Sequence, residues 1–264
     1  MAEVKEADCM CACDREPARL PQPRSRLRQV RCYEEHRIRL LGQLPQAMAA
    51  AHGVFGGPSL DLPVWAAEAR GTARNGDAER DRFLREVYGT LLAWGMHRMG
   101  ERGATMPRFE TFRASILSVW PLLEALWDVR RPQTQAQWSA LCRVFHAAEA
   151  STTNSRLVAN AKVLALLLPD AVAVIDREYT LRFLGLRNVY TYGTHPDRAA
   201  PCFEWRLFRE IHECFFYPLV DDPNFQTAVQ QWPAPQEGQE PAMMGTPLRA
   251  ADSMVVGFQR LGLG

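Results

Sequence analysis

Lys5 and Lys162 are the only lysines in a chain that writes almost every other positive charge as arginine. Lys162 stands near the head of an apolar run, NAKVLALLLPDAVAVIDREY, which Asp176 closes. The two residue types suit particular chemistry. An unprotonated lysine amine in an apolar setting can attack an electrophilic carbon and form a Schiff base. Arginine supplies charge but not that nucleophile. A carboxylate held in a fixed direction can stabilise developing positive charge, or orient and deprotonate an attacking water. A plainer reading stands beside this one. Asp176 precedes Arg177, Glu178 and Tyr179 as a helix N-cap would, and Lys162 can be a surface or phosphate-contact lysine. The richness in arginine and alanine looks like a GC-rich bacterial genome, in which a retained lysine is less arbitrary.

Several elements must position these two residues. Trp138, Leu141, Cys142 and Phe145 repeat at helical spacing, which predicts a helix over 134–149 ended by the polar turn STTNS. Residues 156–168 are apolar almost all round, so that helix should be buried. Pro169 and Asp170 stop it, and Asp176 should open a further helix to about Leu184. The start of a helix that follows a tight turn offers free backbone amides and the positive end of the dipole. Ser155, Arg156 and Asn160 cluster there with Lys162 and are candidate phosphate contacts. Helices are also predicted from Tyr33 to Ala51, over 78–99 (Phe83, Val87, Leu91, Trp94, Met99), over 107–129 with a bend at Pro121, over 203–218 and over 247–261. The Gly/Pro-rich HGVFGGPSLDLP and the Pro/Gln-rich 232–247 read as loops. VAVI at 172–175 is too short to carry a sheet. The class is mainly α.

Length and composition bound the rest. With 264 residues, 47% of them hydrophobic, the chain can form one large domain or two small ones. We read residues 1–30 as a basic, Cys/Arg/Pro-rich, poorly ordered arm and 31–264 as a single helical catalytic domain. A net charge of +1 provides no global basic field. No apolar run reaches the roughly 18 residues that span a bilayer, and MAEVKEADCMCACD is unlike a secretory signal, so a cytoplasmic protein with thiols rather than disulfides is expected. Cys9, Cys11 and Cys13, with Cys32 and His36, raise a zinc alternative, but alternating cysteines are unlike the usual C-x₂₋₄-C pairs. The histidines at 36, 52, 97, 146, 195 and 212 show no ligand spacing, and no metal or cofactor is assigned. Pro169, Asp170, Asp176 and Glu178 faintly match a PD…D-x-E nuclease, yet position 180 is threonine where that motif wants lysine.

The order of turn, buried helix, loop, aspartate and second helix resembles the helix-hairpin-helix DNA glycosylase superfamily, which includes the endonuclease-III-like and 8-oxoguanine-glycosylase-like enzymes. RLVANAKVLALLL stands in place of the hairpin and helix, and PDAVAVIDREYTLRFLGL in place of the loop, aspartate and next helix. The departures are Val158 and Asn160 where the hairpin carries glycines, a Lys162-to-Asp176 separation about one helical turn shorter than usual, and no iron–sulfur cysteine cluster after this region. The resemblance implies a glycosylase-like bundle of two helical subdomains, with Asp176 as catalytic carboxylate and Lys162 as the amine of bifunctional members. It further implies double-stranded DNA as partner, a flipped base, hydrolysis of the N-glycosidic bond to an abasic site, and a monomer in the bacterial cytoplasm at the nucleoid. His97, Arg98 and Met99 would wedge into or contact the duplex. Trp94, Arg177, Tyr179 and Arg182 would line the base pocket, with Trp94 and His97 as stacking surfaces. A modified base, as in phage DNA, is as plausible a substrate as a lesion. The alternative is a non-enzymatic DNA-binding helix-hairpin-helix module.

Overall fold

A computed structural model describes residues 23–52, 58–98, 105–152, 156–186, 202–231 and 246–262. Among these the chain is helical, without a strand: α1 Pro23–Leu41, α2 Leu44–His52, α3 Pro58–Thr72, α4 Asp77–Ala93, a 3₁₀ turn Met96–Arg98, α5 Phe109–Leu117, α6 Trp120–Leu126, α7 Gln135–Ala147, α8 Leu157–Leu167, α9 Thr180–Phe183, α10 Phe203–Ile211, a π turn His212–Phe216, α11 Tyr217–Val220, α12 Pro223–Gln231 and α13 Pro247–Arg260. The mainly α class is therefore observed.

Local chemistry explains most boundaries. Thr134 and Gln137 form a reciprocal capping box that starts α7. Gly95 has φ 78, a left-handed conformation that ends α4 short of the predicted Met99. The helix expected over 107–129 is two helices, because Pro121 in the first turn of α6 cannot continue the hydrogen-bond ladder of α5. Two expectations need correction. α1 starts at Pro23, well before Tyr33, and α3 begins at Pro58 inside the stretch read as a loop. Proline at a first helical position is pre-set for the helix, so it opens α3 where it suggested a break.

Buried residues from Tyr33 to Phe258 form one continuous core. Aromatic rings fill much of it. Trp120 meets Trp127 edge-on at 5.3 Å, and Trp205 stacks on Phe208 at 5.4 Å. α8 runs through this core. Its Leu157, Ala159, Asn160, Ala161, Val163, Leu164, Ala165 and Leu167 are all buried. Val158, Lys162 and Leu166, four residues apart, form the one stripe that is only partly buried. The amine therefore sits on the single outward line of an otherwise enclosed helix. α13 crosses α2 closely at Gly257, where an added Cβ would lie 2.0 Å from the Ala47 carbonyl oxygen.

Candidate active site

The loop 169–176, which links α8 to the turn before α9, opens with a turn onto the Leu168 carbonyl and is buried through Ala171–Ile175. Buried backbone outside a helix or sheet must find other partners, and here side chains supply them. Thr246 Oγ1 donates to the Pro169 carbonyl at 2.9 Å, and Tyr217 Oη donates to that of Ala171 at 2.8 Å. The Ala173 amide donates to His212 Nε2 at 3.0 Å. That bond fixes the tautomer, so His212 Nδ1–H faces the Phe208 carbonyl at 2.8 Å. Burial holds the imidazole far below its usual value, at about 4, so it is neutral. Arg70 meets Asp170 at 3.3 Å. The loop is thus clamped along its length, and Asp176 emerges from it in a fixed direction.

Asp176 divides its carboxylate between two tasks. Oδ1 accepts from the Glu178 amide at 2.8 Å, an Asx-type turn that leads into α9. Oδ2 meets Lys162 Nζ at 2.7 Å. The helix expected from Asp176 to Leu184 is shorter than predicted, a turn followed by α9, because the aspartate side chain organises that turn instead. Burial pushes the Asp176 carboxyl up, but the Lys162 charge and hydrogen bond, with the amides of Glu178 and Tyr179, outweigh this and hold it below the ordinary carboxylate value. The Lys162 and Asp176 side chains are 14% and 21% exposed, so the pair is sheltered yet reaches the surface.

α13, which packs against α9, carries two further charged groups. Asp252 is 5% exposed by side chain, and its Oδ1 meets no hydrogen-bond partner among the described residues. Arg249 Nη1 lies 3.5 Å from Asp252 Oδ2, and its guanidinium sits over the Trp94 ring, 4.8 Å from the centroid. Burial raises the Asp252 carboxyl to about 7, against the pull of Arg249; the Asp176 charge adds to the rise and the Lys162 charge opposes it. Neither α13 residue was singled out from sequence. The available signal was a lone acid and a lone arginine, three apart, in the apolar run LRAADSMVVGF. His212 and Tyr217 went unassigned because their work is done on backbone that sequence does not place.

The other candidates divide. The start of α8 is already occupied. Glu204 of α10 accepts from the Arg156 amide, and from the Leu157 amide at 2.8 Å. A protein carboxylate thus holds the amides expected to hold a phosphate. Arg156 turns its guanidinium to the His146 carbonyl. Asn160 is fully buried and donates to the Phe145 carbonyl at 2.6 Å, so it joins α8 to α7 and presents nothing to a duplex. Trp94 carries Arg249 on one ring face rather than leaving that face for a base. His97 is exposed, with Nδ1 3.0 Å from the Leu92 carbonyl. Arg177, half exposed, pairs with Glu178 at 3.1 Å; Tyr179 is partly buried and Arg182 is exposed. Arg177 follows Asp176 directly, and Tyr179 and Arg182 lie further along, at the start and in the last turn of α9. Ser155, Met99, Cys9, Cys11, Cys13, the side chain of Arg98 and the loop over 232–245 lie outside the described residues. No His/Cys/Asp/Glu group that could hold a metal ion is found among the described residues. Cys32, Cys142 and Cys214 are free, whereas Cys202 is disulfide-bonded, against the expectation of thiols throughout. Among the described residues no helix is long and apolar enough to cross a membrane.

No protein-family model matches this chain, and neither a curated protein nor a solved structure does.

Proposed function

We propose that the protein is a DNA glycosylase with a helix-hairpin-helix-like arrangement, which excises a damaged or modified base from double-stranded DNA and leaves an abasic site. The single observation that carries this reading is the 2.7 Å contact between Lys162 and Asp176. A sheltered carboxylate with a lowered pKa and a primary amine stand together on elements that the fold holds rigidly. As the glycosidic bond to an extruded base breaks, positive charge builds at C1′ of the sugar. The Asp176 carboxylate stabilises that charge by proximity in a partly desolvated site. A water attacks C1′, and Asp176 accepts its proton. In the ion pair Lys162 is an ammonium and no nucleophile. It becomes one by giving its proton to Asp176; its attack on C1′ expels the base with the glycosidic electron pair, and cleavage of the C1′–O4′ bond with loss of the remaining N–H proton gives the Schiff base that adds lyase action. The Glu204 contact removes the hairpin amides as the obvious grip on the phosphate, so backbone binding falls to side chains.

The test is excision from duplexes that carry a panel of damaged and modified bases, read as strand breaks after hot alkali. Wild type should release at least one base, and Asp176→Asn should be slowed about 10²-fold or more while duplex affinity is unchanged. Duplex binding by wild type with no excision across the panel would favour the non-enzymatic binding module instead.

A further inference from the structure

The turn that follows Asp176 holds this residue by its main chain as well as by Oδ1. The Asp176 amide donates to Thr180 Oγ1 at 3.2 Å, and the Asp176 carbonyl accepts from the Leu181 amide at 2.9 Å. Oδ1 accepts from the Glu178 amide at 2.8 Å, which leaves Oδ2 for Lys162. The partners at Leu181 and Glu178 are backbone amides, which any residue other than proline supplies. The partner at Thr180 is a side chain, so it depends on the residue type. Thr180 is fully buried, and its branched Cβ restricts χ1. Its hydroxyl proton faces the Val174 carbonyl at 3.5 Å. One oxygen therefore joins the end of the loop 169–176 to the first residue of α9. This is the threonine that stands where a PD…D-x-E nuclease wants lysine.

We propose that Thr180 is a positioning residue for the Lys162–Asp176 pair: its hydroxyl fixes the main chain of Asp176 and so keeps Oδ2 on the amine. The effect on excision rests on the glycosylase reading, and the hold on the pair does not. The direction of a side chain follows from the backbone that bears it, and a displacement of about 1 Å at a reacting group can cost about 10²-fold in rate. Thr180→Val keeps nearly the same shape but removes the acceptor, which leaves the Asp176 amide without its partner. The segment then settles elsewhere, and Oδ2 leaves Lys162. The charge and hydrogen bond of Lys162 hold the Asp176 carboxyl low, so its titration moves up when that contact loosens. The charged groups that act on Asp176 or adjoin it are Lys162 of α8, Arg177 and Glu178 beside it, and Asp252 of α13. Thr180→Val removes none of them.

The experiment is a carboxyl-carbon NMR titration of the full chain labelled at aspartate, with the Asp176 signal assigned by its absence in Asp176→Asn. Single-turnover excision is measured in parallel on a base that the wild type releases. In the wild type Asp176 should titrate below the ordinary carboxylate value. In Thr180→Val its titration should move up toward that value, and in Thr180→Ser, which keeps the hydroxyl, it should stay low. Excision by Thr180→Val at saturating duplex should fall about tenfold or more with duplex Kd unchanged, and Thr180→Ser should restore most of the rate. A folded Thr180→Val, judged by a cooperative melt, in which Asp176 titrates as in the wild type would overturn the role. If Thr180→Val does not fold, deuterium exchange in the wild type decides. The Asp176 amide should exchange about 10²-fold or more slower than an unstructured amide, and exchange at the unstructured rate would overturn the role. A titration that moves in a protein that excises nothing upholds the positioning role and removes the glycosylase reading. A titration that stays in place while the wild type excises does the reverse.

Discussion

At the residue scale one carboxylate, that of Asp176, has two loyalties. Asp176 gives Oδ1 to the Glu178 amide and Oδ2 to Lys162, so it is both a turn organiser and a charged group next to an amine. The turn-organising role is carried by Oδ1, and Oδ2, on the amine, is the oxygen available to the proposed chemistry. The pair also fixes a pH dependence. A carboxyl held below its ordinary value stays ionised until pH falls through that lowered value. Excision that needs ionised Asp176 should therefore persist into mild acid and fail only below the usual carboxylate range. Lys162→Met removes the chief favourable charge, so the acid limb of the rate profile should move up in pH, and trapping by borohydride should disappear. A profile that stays in place when the amine is removed would show that Lys162 does not set the state of Asp176. The identities of Lys162 and Asp176 were legible in the sequence because each is rare in its surroundings. Asp252 and Arg249 of α13 were not, since an aspartate and an arginine three apart look like an ordinary exposed helix pair until most of the helix is known to be buried.

At the element scale the buried loop 169–176 is the part that aims the carboxylate, and its clamps lie far away in sequence. His212, on the π turn, must be neutral to accept from the Ala173 amide. Its folded-state value is depressed to about 4. The unfolded chain therefore binds the extra proton first, and stability falls as pH drops from about 6.5 toward 4. His212→Leu should remove that acid sensitivity and leave the Ala173 amide unpaired, at a cost of about 1–3 kcal/mol. Excision should fall with it, because Asp176 loses its anchor. Thermal melts at pH 7 and pH 5 check both statements. The α2–α13 crossing gives a second expectation. Gly257→Ala drives a Cβ into the Ala47 carbonyl, so the helices must separate, with a loss of about 1–3 kcal/mol and a lower Tm. Among the elements, α7, α8 and α13 were readable almost to the residue, because apolar period, capping box and prolines agree there. The break between α5 and α6 was signalled by Pro121 but taken for a bend. α3 was missed because prolines and glycines, read as breakers, precede and enter it. The π turn at His212–Phe216 has no sequence signature in the period of α10, which continues smoothly into it.

At the scale of the whole molecule, a mainly α chain encloses one continuous core and lets a single stripe of its central helix reach the surface at Lys162. The charge balance of +1 gives no global basic field, so the proposed recognition of DNA has to rest on local groups. That organisation allows the central claim to be tested before any substrate base is known. If Asp176 faces a carbon that becomes cationic, the protein should prefer a duplex whose sugar is replaced by a positively charged pyrrolidine over one with the neutral tetrahydrofuran ring, as enzymes prefer transition-state mimics. The measurement is the ratio of the two Kd values for wild type and for Asp176→Asn. We expect the charged ring to bind about 10²-fold tighter or more to wild type, and the preference to vanish in the variant. Equal affinities in wild type, or a preference that survives loss of the carboxylate, would contradict the account.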